Sequence, residues 1–149
     1  KNIAKEIYKS EHIFFIGRKI DYAIALEGSL KLKEVSYIHS EAYQAGELKH
    51  GTISLIEKNT PVFAIMTDGD VMDKTISNTE EVLARGARVI VISNTKKTDF
   101  ETIEVPKINK FFQPVLVVPT LQLIAYWTAK MRKCEIDMPK NLAKSVTVE

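Results

Sequence analysis

The sequence predicts an α/β domain, a three-layer αβα sandwich built around a mainly parallel sheet of about five strands. Three observations lead there. Short runs rich in β-branched and aromatic residues alternate with longer helical patterns. The first three runs are apolar almost throughout, as central parallel strands covered on both faces must be. The 149 residues, 45% hydrophobic and 27% charged, suit one globular domain that buries its core without disulfides or metal.

Taken in order, Ala4 to Ser10 reads as a short lead-in helix and His12 to Gly17 as the first strand. Asp21 to Tyr37 reads as a long helix, with Asp21 as N-cap and Tyr22, Leu26 and Leu30 forming an apolar stripe at i, i+4 and i+8. Pro61 to Met66 is the second strand. Val71 to Arg85 is a second long helix, ended by Gly86 in the C′ position. Arg88 to Ile92 is the third strand. Thr102 to Val105 alternates, which suits a sheet edge. Pro114 to Val118 reads either as a fifth strand or as the opening of the next helix, Thr120 to Lys133, whose Leu123, Tyr126, Trp127 and Met131 are available to pack. The pattern stops after Cys134, so residues 1–134 form the domain and 135–149 an extended tail.

Composition excludes several classes. Lys and Arg number 21 against 19 Asp and Glu, a net charge of +2, too balanced to argue for nucleic acid. One cysteine permits no internal disulfide and fits a reducing, cytoplasmic compartment. No apolar run reaches the roughly 18 residues of a membrane span. The chain starts at Lys1 without Met or a signal pattern, which suggests a piece of something longer.

Open parallel sheets bind ligands beyond the carboxyl ends of their strands. The loop Gly17-Arg18-Lys19-Ile20 is basic but holds one glycine, no dinucleotide fingerprint. In Thr67-Asp68-Gly69-Asp70 two carboxylates cap the following helix and would repel a phosphate. Ser93-Asn94-Thr95-Lys96-Lys97 has hydroxyls and positive charge for an anion, but no helix clearly follows. None of the three is a built phosphate site.

The unusual residues lie elsewhere. Glu27, Lys31 and Glu34 share one helix face. They read as a solvated ion-paired stripe or as a carboxylate beside an ammonium poised for proton transfer. The stretch from Glu41 to Gly51 is longer than a plain helix-to-strand connection of roughly 2–6 residues. Its His50 precedes Gly51, a helix stop, where the helix dipole favours an imidazolium. It reads as a surface histidine or as a proton donor. In the tail, a docked Lys144 near Lys140 would feel desolvation and a like charge, both lowering its pKa toward Schiff-base chemistry.

The strings Ala25-Leu26-Glu27-Gly28, Lys31-Leu32-Lys33-Glu34, Ser36-Tyr37-Ile38-His39, Glu41-Ala42-Tyr43, Gly46-Glu47-Leu48-Lys49-His50-Gly51 and Asn141 to Glu149 resemble the glucosamine-6-phosphate synthases, also called glutamine–fructose-6-phosphate transaminases (isomerizing). The likeness is to their C-terminal sugar isomerase (SIS) subdomain and spans the chain from about Ile3 to Glu149. It implies a flavodoxin- or Rossmann-like fold and a part in making glucosamine 6-phosphate from fructose 6-phosphate and glutamine. No cofactor and no metal are implied. The implied partners are a first SIS subdomain, a glutaminase domain and a second copy in a homodimer, with neither nucleic acid nor membrane. The tail resembles that family's natural C-terminus, which places the cut on the N-terminal side.

By the same resemblance, Lys144 is the Schiff-base lysine and Glu34 the proton-transferring glutamate. His50 acts in ring opening across the dimer interface, and Lys31 assists at the sugar hydroxyls. Ala143 and Lys140 belong to the substrate-binding set. Lys140 departs from the family, which carries arginine there, and loses a planar fork. The family's Ser/Thr-rich phosphate loops belong to the first SIS subdomain, and Cys134 is not the glutaminase nucleophile. The fragment alone is therefore expected to be inactive or nearly so. Two alternatives stay open: a non-catalytic sugar-phosphate sensor, as in SIS-bearing regulators, and a related fructosamine or amino-sugar phosphate deglycase or deaminase.

Overall fold

A computed structural model describes residues 1–96 and 99–142. Lys144 and Ala143 lie outside the described residues. The elements in chain order are α1 (Asn2–Ile7), β1 (His12–Gly17), α2 (Ile20–Ser36), β2 (His39–Gln44), β3 (Pro61–Met66), α3 (Met72–Leu83), β4 (Arg88–Ser93), β5 (Thr102–Glu104) and α4 (Gln113–Met131). Short 3-10 turns occupy Leu48–His50, Thr52–Leu55 and Gly69–Val71. The strands form one five-stranded parallel sheet in the order β2-β1-β3-β4-β5.

The near-continuous apolar strands hold the middle of the sheet, because both faces are covered. Alternate residues supply two separate cores. Ile13, Phe15, Phe63, Ile65, Ile90 and Ile92 face α1, α2 and α4. Phe14, Ile16, Val62, Ala64, Val89 and Val91 face α3 and the segment around Leu48 and Ile56. Phe15 stacks on Phe63 with ring centres 4.9 Å apart. The alternating strand read at 102–105 does lie at an edge, as β5.

Several expectations need correction. The stripe Tyr22, Leu26, Leu30 faces outward, with Leu26 46% and Leu30 43% exposed. The buried face of α2 is Ile24, Ala25, Gly28, Ser29 and Leu32. The reason is room: α2 lies against both the sheet and α4, and small residues let the helices approach. A side chain on Gly28 would start 2.8 Å from Leu121 and 3.2 Å from Phe15. The packing set of α4 is corrected likewise. Leu123 (59%) and Tyr126 (39%) are exposed, while Val117, Leu121, Ile124 and Ala125 are buried.

Asp21 does not cap α2. Lys19, at φ 51°, holds the N-cap position without a side-chain cap, and Asp21 is buried. The turn from β1 into α2 is so tight that a side chain on Gly17 would meet the Asp21 carbonyl at 2.5 Å. Pro114–Val118 belongs to a helix, because α4 starts at Gln113 with proline in its first turn, where no N–H is missed. Pro119 lies inside that helix rather than at its start.

The long excursion from Glu41 to Gly51 opens inside the missed strand, β2, which begins at His39 and lies at the edge beside β1. Its polar pattern hides it, and α2 holds it in place. The Ser40 hydroxyl donates to the Ser29 carbonyl at 2.9 Å and meets the Ser29 hydroxyl at 3.1 Å.

Candidate functional site

Residues three and four apart on a helix are surface neighbours, and α2 uses this twice. Lys31 Nζ lies 2.7 Å from Glu34 Oε2 and 3.8 Å from Glu27 Oε1. All three side chains are about one-third exposed, so the group is ordered yet open to a ligand. The hydrogen bond to Glu34 raises the Lys31 pKa above its ordinary value, against a smaller opposing effect of burial. Lys31 is therefore a fixed ammonium beside a carboxylate. A groove of about 150 Å³ runs next to it between α2 and α4, lined by Lys31, Val35, Gln122, Ala125, Tyr126 and Ile136.

The end of α2 also receives the tail. Tyr37 ends the helix in the left-handed region at φ 57°. Its hydroxyl accepts the Lys140 backbone N–H at 2.8 Å, and Lys140 Nζ sits 4.6 Å from the centre of its ring. The chain thus passes the Lys31–Glu34 end of α2 just before Ala143 and Lys144. Cys134 is half-buried against this corner, its thiol 3.8 Å from the Ser36 carbonyl. The sequence reading had no role for Tyr37. Its signal would have been a bulky residue at the helix stop where glycine is usual.

His50 is placed apart from Glu34. It ends the 3-10 turn begun by Leu48, whose side chain joins the core on the α3 face. Glu34 follows Leu32, which joins the core on the opposite face. The two also sit toward opposite ends of the strands. Helix α2 leaves the carboxyl end of β1 and runs back, so Glu34 lies about 21 Å along it, fourteen residues at about 1.5 Å each. His50 instead follows the carboxyl end of β2. Within one copy the sheet separates them.

The order β2-β1-β3 puts a topological switch point between β1 and β3, where open sheets hold ligands. Here the crevice holds a carboxylate of the chain itself. Asp21 Oδ2 accepts the backbone N–H groups of Thr67 at 2.8 Å and Asp68 at 2.9 Å, and Oδ1 accepts the Thr67 hydroxyl. Burial pushes the Asp21 carboxyl above the ordinary carboxylate range, against the opposing hydrogen bonds. Asp68 accepts the Asp70 N–H at 3.1 Å, the self-capping expected of that loop. Asp70 also lies 3.9 Å from Lys19 and 3.4 Å from Lys110.

The third loop turns Ser93 and Asn94 inward, while Lys96 is exposed and lies 3.2 Å from Glu104. Ser93 donates to the Met66 carbonyl at 2.8 Å, and Asn94 donates to the Thr67 carbonyl and to Gln113, both at 3.1 Å. Among the described residues, neither loop presents a phosphate cradle.

Against this geometry, residues 6–132 match the SIS domain family. The chain belongs to the SIS domain family. All of it aligns with the glutamine–fructose-6-phosphate aminotransferase [isomerizing] of Clostridium tetani at 51% identity and with that of Methanosarcina acetivorans at 49%. It spans about a quarter of those relatives, 25% of each. Among solved structures, the C-terminal domain of glucosamine-fructose-6-phosphate aminotransferase from Francisella tularensis superposes with a TM-score of 0.88 at 39% identity, over 92% of this chain and 40% of that one. Glucosamine-6-phosphate deaminase from Thermotoga maritima superposes at 0.73 with 27% identity, over 97% of this chain and 45% of that one. This SIS domain has the five-stranded parallel α/β architecture read from its sequence.

Proposed function

We propose that this SIS domain supplies the proton-transfer and imine chemistry of a glutamine–fructose-6-phosphate aminotransferase, making glucosamine 6-phosphate as part of a larger cytoplasmic, dimeric enzyme. The observation that carries the reading is the Lys31–Glu34 pair at 2.7 Å beside an open groove, in a chain that aligns from end to end with such enzymes. Residues 1–134 form the domain proper, and 135–149 carry the imine-forming lysine.

His50 shuttles a proton between the ring oxygen and the anomeric hydroxyl, opening the sugar. Its place across the sheet from Glu34 supports delivery to the site of a second copy. The neutral amine of Lys144 attacks the open-chain C2 ketone, water leaves, and an imine forms. Ammonia then displaces the lysine. The Glu34 carboxylate takes a proton from C1 of the resulting fructosimine and returns it at C2, the bonded neighbour. Lys31 holds its charge beside the developing enolate-like anion. Lys140 and Ala143 belong to the substrate-binding set, and Tyr37 steers Lys140 toward it. The filled switch-point crevice supports placing the sugar's phosphate on another part of the enzyme.

The test is a chimaera in which these 149 residues replace the matching quarter of the Clostridium tetani enzyme. Glu34→Gln and Lys144→Ala should each abolish glucosamine 6-phosphate formation while glutamine hydrolysis persists. Retained synthesis in either variant removes that residue from the mechanism. The isolated chain should isomerise fructose 6-phosphate negligibly, since remote phosphate binding normally positions the reacting carbons. The Thermotoga maritima neighbour favours deamination as the second reading, which a chimaera releasing ammonia without needing glutamine would support.

A further inference from the structure

Histidine opens both strands on the β2 side of the sheet. His12 begins β1, His39 begins β2, and the two are partners in the parallel register. Both rings stand on the face that Phe14 and Tyr43 share further along these strands. They meet edge to face at 83°, with ring centres 5.2 Å apart and the two Nδ1 atoms 3.1 Å apart. Two imidazole nitrogens at this separation either share a proton or face a common cation. The distances fit a cation. A zinc ion about 2.05 Å from each nitrogen, at a tetrahedral angle, sets the nitrogens about 3.3 Å and the ring centres about 5.2 Å apart.

The other side of His39 supports the same reading. Glu41 Oε1 lies 3.7 Å from His39 Nε2, and Glu41 is itself held by the Tyr43 hydroxyl, which donates to it. A carboxylate there keeps the His39 proton on Nε2 and leaves Nδ1 with a lone pair, the arrangement that orients metal-binding histidines. Without an ion, His12 Nδ1–H donates to that lone pair. With one, the His12 proton passes to its own Nε2 and both Nδ1 lone pairs turn to the ion, so two neutral rings bind it without net loss of a proton. The histidines also line a cavity of about 420 Å³ together with Glu11 and Glu57, whose negative charge favours a cation. Among the described residues no three His, Cys, Asp or Glu side chains are gathered around one point. The site is therefore a two-histidine one, completed by water or by the exposed Glu11 and Glu57.

We propose that His12 and His39 bind a divalent transition-metal ion of the zinc class through their Nδ1 atoms. Imidazole suits such ions, whereas magnesium and calcium ask for oxygen. The ion joins β1 to the edge strand β2 at their amino ends, at the opposite end of the strands from the Asp21–Thr67 crevice. The inference is independent of the proton-transfer roles proposed above, because it uses none of their residues.

Titration of the 149-residue chain with ZnCl2 tests this, in a mildly alkaline buffer that keeps protons from competing for imidazole. Long-range ¹H–¹⁵N NMR reads each ring nitrogen separately. The Nδ1 signals of His12 and His39 should move together in a single 1:1 event, with those of His50 unmoved, and MgCl2 should move none of them. No shift up to about 1 mM Zn²⁺, a shift of only one of the two rings, coordination through Nε2, or binding at His50 or Cys134 instead each overturns the site. Calorimetry on variants adds a second measure, and both histidines are exposed, so their replacement leaves the core intact. Glu41→Gln should weaken Zn²⁺ binding about tenfold, and His12→Ala and His39→Ala should each weaken it further. Wild-type affinity in either histidine variant overturns the site, and wild-type affinity in Glu41→Gln overturns the orienting role of that carboxylate.

Discussion

Replacing Asp21 by alanine should destabilise the chain by about 3 kcal/mol. The carboxylate accepts two backbone N–H groups, from Thr67 and Asp68, and one hydroxyl, and both donor residues are buried. A buried donor left without a partner costs about 1–3 kcal/mol, so the two N–H groups alone give about 2–6 kcal/mol. Relief of the carboxylate's own desolvation acts the other way and brings the sum into the lower half of that range. Urea unfolding followed by circular dichroism would measure it. Asp21→Asn keeps an oxygen for the two N–H groups and should lose only about 1 kcal/mol.

The pH dependence of Asp21 carries a definite sign. Burial raises its pKa in the folded chain above the unfolded value of about 3.9. The folded state therefore binds the proton more tightly. The contribution of this group is most favourable below the unfolded pKa and falls as pH rises toward the folded pKa. The stability of wild type minus that of Asp21→Asn should thus decline as pH rises from about 4 and then level off. A difference that grows with pH, or an alanine variant within about 0.5 kcal/mol of wild type, the range of ordinary surface changes, would refute the reasoning.

Two further outcomes are expected. Gly28→Ala places a methyl 2.8 Å from Leu121; overpacking of about 1–3 kcal/mol outweighs a helix-propensity gain of about 1 kcal/mol, so Tm should fall by a few degrees in calorimetry, and a rise would show that α2 and α4 have slack. Lys31, with its pKa raised by Glu34, should remain an ammonium through the neutral range, and the favourable effect of the pair should fade only as pH climbs through that raised value. NMR titration of its Nζ should show this, with Glu34→Gln lowering the midpoint, and a Lys31 that titrates near neutrality would remove it as a charge stabiliser.

Sequence reasoning reached the central strands because burial on both faces forces unbroken apolar runs such as Pro61–Met66. It reached the Lys31–Glu34 contact because helical spacing dictates it. It failed where a neighbouring element changed what a position needed. In α2 the large Leu26 and Leu30 look like the core face, but contact with α4 selects Ala25 and Gly28 for burial. Strand β2 has a half-exposed edge pattern that no apolar periodicity reveals. Asp21, beside a turn, has the sequence look of a cap, and only the fold brings it to the loop after β3, 46 residues away.

The sheet that lies between Glu34 and His50 has a genetic consequence. Under the proposed roles, each copy lends its carboxylate to one reaction centre and its imidazole to another, so damage at the two positions need not fall on the same centre. Two inactive variants, Glu34→Gln and His50→Asn, mixed and allowed to exchange subunits, would then regain activity that neither has alone. Every restored centre would pair an intact carboxylate from one parent with an intact imidazole from the other.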